Sequence, residues 1–269
     1  MTALANHFAF EFKTGLRNPT ALLMNYLFPL GFYALMGLVM TQINPLFGDT
    51  LVPAMVIFAA LASTVLGLPG PLVESREGGV YRSFKINGVP ALAILVSPAA
   101  ASVFHVLIVS AVIAATGPTL FKGLAPTNWA AFALVTLLVA CAMAGLGSLI
   151  GVIASGSRST VLWSQLIFLP SMLLGGLMMP IDILPASVRP ISGLLPTTYA
   201  MQAYAGLAYG QTTLLPATTA ALILLACGVL AFGLAIYLFN WDSHNQARRG
   251  HPLMALLVLA PFLAGAFLL

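Results

Sequence analysis

Leu51–Leu72 reads LVPAMVIFAALASTVLGLPGPL, twenty-two residues without a charge. A helix needs roughly 20 predominantly apolar residues to cross a hydrocarbon core about 30 Å thick. The stretch is therefore read as a membrane span. Close behind it comes ESREGGVYRSFKING, Glu74–Gly88, with five of the chain's sixteen charged side chains: Glu74, Arg76, Glu77, Arg82 and Lys85. What such a concentration of charge is for depends on its surroundings.

Those surroundings are apolar almost throughout. The 269 residues are 60% hydrophobic and 6% charged, against about 25% charged in an ordinary soluble domain. No soluble fold keeps such a surface wetted, so lipid is the solvent for most of the chain. The net charge of +4 is scattered, whereas a nucleic-acid footprint requires a clustered basic face. Nucleic acid is excluded as a partner. Cys141 and Cys227 both sit in long apolar runs without metal-ligand or CxxC spacing. They read as small buried hydrophobes.

Six segments have the length and composition of spans: Thr20–Met40, Leu51–Leu72, Ala91–Thr116, Trp129–Ala154, Val161–Met179 and Leu214–Phe239. A further run, Leu253–Leu269, is only just long enough. The gaps are too short for a soluble domain of about 50 residues or more. The first apolar run has bilayer length and no small-residue cleavage site after it, which argues against a cleavable signal. Lys and Arg in short loops set orientation. With the N-terminus inside, Lys13, Arg17, Arg76, Arg82, Lys85, Arg158, Arg248 and Arg249 are inside and only Lys122 and Arg189 outside, eight against two. The N-terminus is expected in the cytosol.

Ahead of the first span, Leu4, Phe8, Phe12 and Leu16 recur every four residues, with Asn6, Lys13, Thr14 and Arg17 opposite. Phe10 breaks the pattern, but the stripe predicts an amphipathic helix over 1–18 lying in the membrane interface. The expected fold is a single all-α polytopic membrane domain over 1–269. It has the interfacial helix, a core of six transmembrane helices over 20–239, a re-entrant outer hairpin after the fifth, and an extra hydrophobic segment at 253–269.

Within the charged segment, Gly78-Gly79 ends the preceding helix, Val80–Ile86 can form a short one, and Asn87-Gly88 closes it before Pro90. Two readings stand. One is a cytosolic helix with an aromatic pair, Tyr81 and Phe84, built to press on another protein; the other is a solvated loop whose positives only fix topology. The second informative stretch is PSMLLGGLMMPIDILPASVRPISGLLPTTYAMQAY, Pro170–Tyr204, where five prolines and Gly175-Gly176 interrupt an apolar run. Irregular backbone at membrane depth is tolerated only against protein or a water-filled cavity. The stretch predicts a broken hairpin on the outer side, with Leu173, Met178 and Met179 as an apolar outer gate. Asp182 and Arg189 are close enough to pair there, or are plain interface-level charges.

Inside the spans, His105 is the ionisable candidate, read as hydrogen-bonded to a neighbouring helix more readily than as a proton carrier. Asn25 and Gln165 are polar and uncharged, able to join helices or line a path. Gly147 and Gly151, and Gly206 and Gly210, permit close helix approach. An ion-driven secondary transporter is the alternative function, but the spans carry no Asp or Glu for it. A membrane enzyme would need a base–nucleophile pair or a metal cluster; none is evident, so no catalytic and no metal residues are assigned.

The patterns P-x4-GG-x3-P-x4-P…PTTY before a late span and E-x2-EGG-x2-RSFKINGVP between spans two and three resemble the ABC-2 type permeases. These are membrane subunits of bacterial ATP-binding-cassette exporters. The resemblance runs from the interfacial helix to the sixth span. It implies an exporting permease of the inner membrane that works as a dimer, most simply two identical copies; the mostly apolar, uncharged spans suggest a hydrophobic or amphiphilic cargo such as a drug, lipid or natural product. It also implies a coupling helix between spans two and three that docks on a separate ATPase. Glu74, Glu77, Arg82, Phe84 and Lys85 would then make that contact, and Arg158 in the loop Ser155–Ser159 a second, smaller one. The chain has no GxxxxGK[ST] phosphate loop, so no cofactor is assigned to it. ATP and Mg are expected on the partner. The family usually ends soon after its sixth span, and the run at 253–269 departs from that.

Overall fold

The fold is taken from a computed structural model, which describes residues 12–44 except 16, 47–242 except 180, 182, 183 and 186, and 250–268. Among them every regular element is helical. Most of the 1–18 stripe lies outside the described residues. Of its inner end, residues 12–15 are helical, and the Phe12 ring stacks on His105 with centroids 4.9 Å apart.

Among the described residues, five helices are long and apolar enough to cross a membrane: α1 (Pro19–Ile43), α2 (Phe47–Glu77), α4 (Ala91–Phe121), α5 (Trp129–Ile153) and α9 (Ala217–Leu238). Between α2 and α4 lies the short α3 (Val80–Ile86). After α5 come α6 (Ser157–Leu174), α7 (Arg189–Ser192) and α8 (Pro196–Ala203). The final element, α10, is a 3-10 helix over Pro252–Leu259 continued as α-helix over Ala260–Ala266. α6 occupies the expected fifth span but is less apolar than the five, because its first half carries Ser157, Arg158, Ser159, Thr160, Ser164 and Gln165.

The boundaries follow local chemistry. Asn18 caps α1 by accepting from the amides of Thr20 and Ala21. α6 ends at Leu174, five residues short of the expected Met179. Gly175-Gly176 breaks it there, and Gly176 takes a φ of +87° that side chains other than glycine resist. Widened π-helical turns at Leu23–Leu27 and Leu61–Leu66 sit just ahead of Pro29 and Pro69. Those prolines lack the N–H that would bond back to the carbonyls of Asn25 and Val65. The two π turns pack against each other.

α2 is the central column. Its residues Val52–Ala62 are inaccessible or nearly so, with α1, α4, α5 and α6 around it. The Gly147–Gly151 spacing lets α5 lie against it. A Cβ at Gly147 would strike the carbonyl of Thr64, and one at Gly151 would sit 2.8 Å from the Leu72 side chain. α9 packs along α5, and α10 runs along α9. His105 is buried on α4 with Nδ1 2.6 Å from the Tyr26 hydroxyl of α1, a hydrogen bond to a neighbouring helix. Cys227 is buried as expected, whereas Cys141 lies on an exposed face of α5.

From α2 onward, the described charges divide between the ends of the bundle. Glu74, Arg76, Glu77, Arg82, Lys85, Arg158 and Asp242 lie at one, the basic end; Asp49, Lys122 and Arg189 lie at the other, the hairpin end.

Candidate functional site

The basic end is built around the turn between α2 and α3. Gly79 adopts a φ of +74°, reversing the chain within two residues, and Gly88 repeats that conformation after α3. The reversal lays α3 on the rest of the molecule by one face. Tyr81 is buried, its ring centroid 5.7 Å from that of Phe239 at the end of α9. Phe84 is half-buried against the core. Thus the aromatic pair points inward and anchors the helix. The outward ridge consists of Val80, Arg82, Ser83, Lys85 and Ile86, and Ile86 is 85% exposed. An isoleucine that bare at the tip of a polar ridge was not singled out by spacing, because residue 86 ends the helix and belongs to neither apolar face.

Two charged contacts brace this end. The Arg82 guanidinium meets the Asp242 carboxylate at 2.8 Å, tying α3 to the chain just past α9. Arg76 is buried, and its guanidinium donates to the carbonyls of Gly151 at 3.3 Å, Val152 at 2.8 Å, and Ala154. These are the last carbonyls of α5, which have no partner within the helix and carry the negative end of its dipole. The loop beyond them is held close: a Cβ at Gly156 would stand 3.0 Å from a Glu77 carboxylate oxygen. Ser159 accepts from the Gly156 amide at 3.1 Å, and Arg158 projects from the first turn of α6, exposed. Glu74, Glu77, Arg82, Lys85 and Arg158 therefore gather on one end surface of the molecule. Arg76 and Asp242, which sequence reasoning did not assign, hold that surface together.

The hairpin end is built mainly from neutral groups, with Arg189 the charged exception. Thr197 donates to the Ser171 carbonyl at 3.2 Å and packs on Gly175. Thr198 donates to the Ser192 carbonyl at 2.6 Å, and its hydroxyl lies 3.0 Å from that of Ser192. Tyr204 donates to the Thr136 hydroxyl at 2.7 Å, and Arg189 Nε donates to the Leu184 carbonyl at 3.1 Å. Asp182 lies outside the described residues, and with it the expected pairing to Arg189. Leu173 in the last turn of α6 and Met179 beyond it are exposed, while Met178 is half-buried against the core. Gln165 is half-buried two turns before Leu173, and Asn25 is buried in the π turn of α1. Neither reaches the hairpin. A cavity of about 310 Å³ opens beside it, lined by Thr50, Gln202, Gln211 and Thr213 with Met201 and Leu214.

A family model described as ABC-2 type transporter matches residues 6–209. That stretch takes in α1 through α8, with Glu74–Ile86, Arg158 and the hairpin, and leaves α9, α10 and the bracing residues Phe239 and Asp242 beyond it. No curated protein and no solved structure matches the chain.

Proposed function

The chain belongs to the ABC-2 type transporter family, a family of multi-pass membrane transport components that normally work with an ATP-binding-cassette ATPase, and from that premise we propose that it is the permease of an ATP-driven exporter. The basic end faces the cytosol of a bacterial inner membrane, as the positive-inside asymmetry favours. There the ridge Val80–Ile86 docks on a separate ATPase, which holds the ATP and Mg. The carrying observation is the braced ridge. Tyr81 and Phe84 seat its inner face, Arg82 ties it to Asp242, Arg76 braces the neighbouring end of α2 against α5, and its outer face presents Lys85 and the bare Ile86. A force applied at that ridge reaches the ends of α2, α5 and α9 together. Glu74, Glu77 and Arg158 flank it as polar rim, and Phe84 serves by seating the helix.

α6 is taken as the sixth crossing. Being the least apolar long helix, it is best shielded by protein or water, and a second copy of the chain supplies both. Leu162, Leu166, Leu169 and Leu173 form its outward stripe, and Leu27, Leu35 and Leu38 that of α1. With two identical copies packed there, the re-entrant hairpins meet near the axis, and Leu173, Met178 and Met179 make the outer gate. Flexible methionines suit a surface that must seal and reopen. Gln165 and Asn25 provide polar points along the way. With no charge inside the spans, the path suits a hydrophobic or amphiphilic cargo.

The test is co-purification with an ATP-binding-cassette ATPase subunit. Ile86→Asp places a charge where an apolar anchor must seat and is expected to weaken the complex at least tenfold, since a well-seated apolar anchor contributes about 2 kcal/mol. A complex of unchanged affinity overturns the docking assignment.

A further inference from the structure

The run at 250–268 lies beyond the family match and packs along α9 from Leu238 back to Ile223. At the basic end, a Cβ on Gly250 would meet the side chains of Tyr237 and Leu238 at 3.0 Å, the last residues of α9. At the other end, a Cβ on Gly265 would meet Ile223 at 2.8 Å and also the Tyr199 ring, and one on Gly193 would meet Ala266 at 2.9 Å. The segment therefore runs antiparallel to α9, from the Asp242 end to the hairpin. Val258 and Phe262, one turn apart, are buried against the bundle, while Leu253, Leu256, Leu257 and Leu263 face outward and exposed. That is the division expected of an outer membrane-crossing element, one stripe on protein and the rest on lipid.

Length agrees because of how the segment is wound. Fifteen residues of α-helix reach about 22 Å, short of a hydrocarbon core about 30 Å thick. Here the first eight are 3-10 helix and the remaining seven α-helix, and at about 2.0 and 1.5 Å per residue these reach roughly 26 Å. The short flanks at 250–251 and 267–268 make up the rest. The 3-10 winding brings the run nearer to that thickness than α-helix alone would.

Its far end is fastened to the hairpin. The Tyr199 hydroxyl donates to the Gly193 carbonyl at 2.6 Å and to the Phe262 carbonyl at 3.1 Å, one proton shared between the hairpin's own backbone and the segment's. The Tyr199 and Phe262 rings stack with centroids 5.5 Å apart. We propose that residues 250–268 cross the membrane as a further segment and act as a strap that pins the outer hairpin at Tyr199 and restrains its opening. The crossing stands apart from the transport reading. The restraint deepens the gate assigned above and rests on it.

Two measurements on the full chain test this. With Cys141→Ala and Cys227→Ala as background, Leu268→Cys and Lys122→Cys are each labelled in intact cells with a membrane-impermeant maleimide. Both are expected to react from the same side; reaction from opposite sides overturns the crossing. For the restraint, hydrogen exchange is followed in nanodiscs. Tyr199→Phe keeps the ring and removes the hydroxyl, and is expected to speed exchange across residues 193–208 about five- to tenfold, as loss of one buried hydrogen bond should. Gly265→Val leaves the hydroxyl but displaces the strap, and the same local rise is expected. Unchanged exchange in both, or an equal rise in α2 that marks global loosening, overturns the restraint. Neither readout uses ATPase or cargo, so failure of the strap is distinguishable from failure of the exporter reading.

Discussion

The two ends of the bundle face one problem, how to satisfy backbone carbonyls where helices stop, and they use different chemistry. The basic end uses full charges: Arg76 on the last carbonyls of α5, and Arg82 against Asp242. The hairpin end relies mainly on hydroxyls: Thr197, Thr198, Tyr199 and Tyr204 each donate to a carbonyl or another hydroxyl, and its one described charged donor to a carbonyl, Arg189 on Leu184, is exposed to solvent. The difference follows from the cost of desolvation. A buried neutral hydroxyl needs one partner to be tolerated, whereas a buried ion needs several or a nearby opposite charge. Charge is kept where water or a helix dipole compensates it, and neutral donors serve where the chain turns among apolar side chains. An end built on charges also transmits force through directional contacts that salt and mutation can break. An end built on hydroxyls can release its bonds singly, which is what a gate requires.

The contrast between the ends is broken most severely at Arg76. Removing its side chain leaves the carbonyls of Gly151, Val152 and Ala154 without their donor, those of Gly151 and Ala154 in buried surroundings. Arg76→Leu is expected to destabilise the protein by roughly 3 kcal/mol, since hydrogen bonds from a charged donor contribute about 1.5–3 kcal/mol each and are not additive. Arg76→Lys restores the charge but not the planar fork and should recover less than half. Denaturation in detergent micelles measures both. A loss under about 1 kcal/mol for Arg76→Leu would place Arg76 among the ordinary topology-setting cations.

At the hairpin end the same operation should cost less. Tyr204→Phe removes a fully buried hydroxyl that donates to Thr136. The Thr136 hydroxyl still donates to the Phe132 carbonyl at 2.7 Å, so no buried donor is stranded. A loss of about 1 kcal/mol is expected, the net contribution of one neutral hydrogen bond. Should Tyr204→Phe match Arg76→Leu in the same denaturation assay, the distinction between charged and neutral ends fails.

What could be read from the sequence follows the same division. Apolar runs announced α1, α2, α4, α5 and α9, because a span has to be written continuously along the chain. The Gly79 and Gly88 reversals around α3 were legible too, since few other residues occupy those conformations. The inward turn of Tyr81 was not: its partner Phe239 is 158 positions away, and no local period encodes so distant a contact. Arg76 read as one more cytosolic positive, because only the fold brings the end of α5 to it. The strap was legible as a hydrophobic run but not as a crossing. Its length depends on 3-10 winding, which composition does not fix.

The smallest expected effect on stability tests the charged end in the sharpest way. Arg82 and Asp242 form an ion pair with side chains 53% and 26% exposed. Such pairs contribute about 0.2–1 kcal/mol, because water screens the attraction and two mobile side chains must be held still. A double-mutant cycle with Arg82→Ala and Asp242→Ala should therefore give a coupling of about 0.5 kcal/mol or less, weakening further between low and high salt. If the pair contributes so little to folding, its place between α3 and the end of α9 has to be explained by what moves. In the exporter reading it carries displacement of the docked ridge into α9, so transport should fall several-fold in either variant although folding hardly changes. The exchanged pair, Arg82→Asp with Asp242→Arg, restores attraction with the same geometry and should recover most of the transport. Loss of folding stability and of transport in equal proportion would make the pair a structural contact only. Loss of transport alone, rescued by the exchange, would establish that the basic end is charged in order to pull.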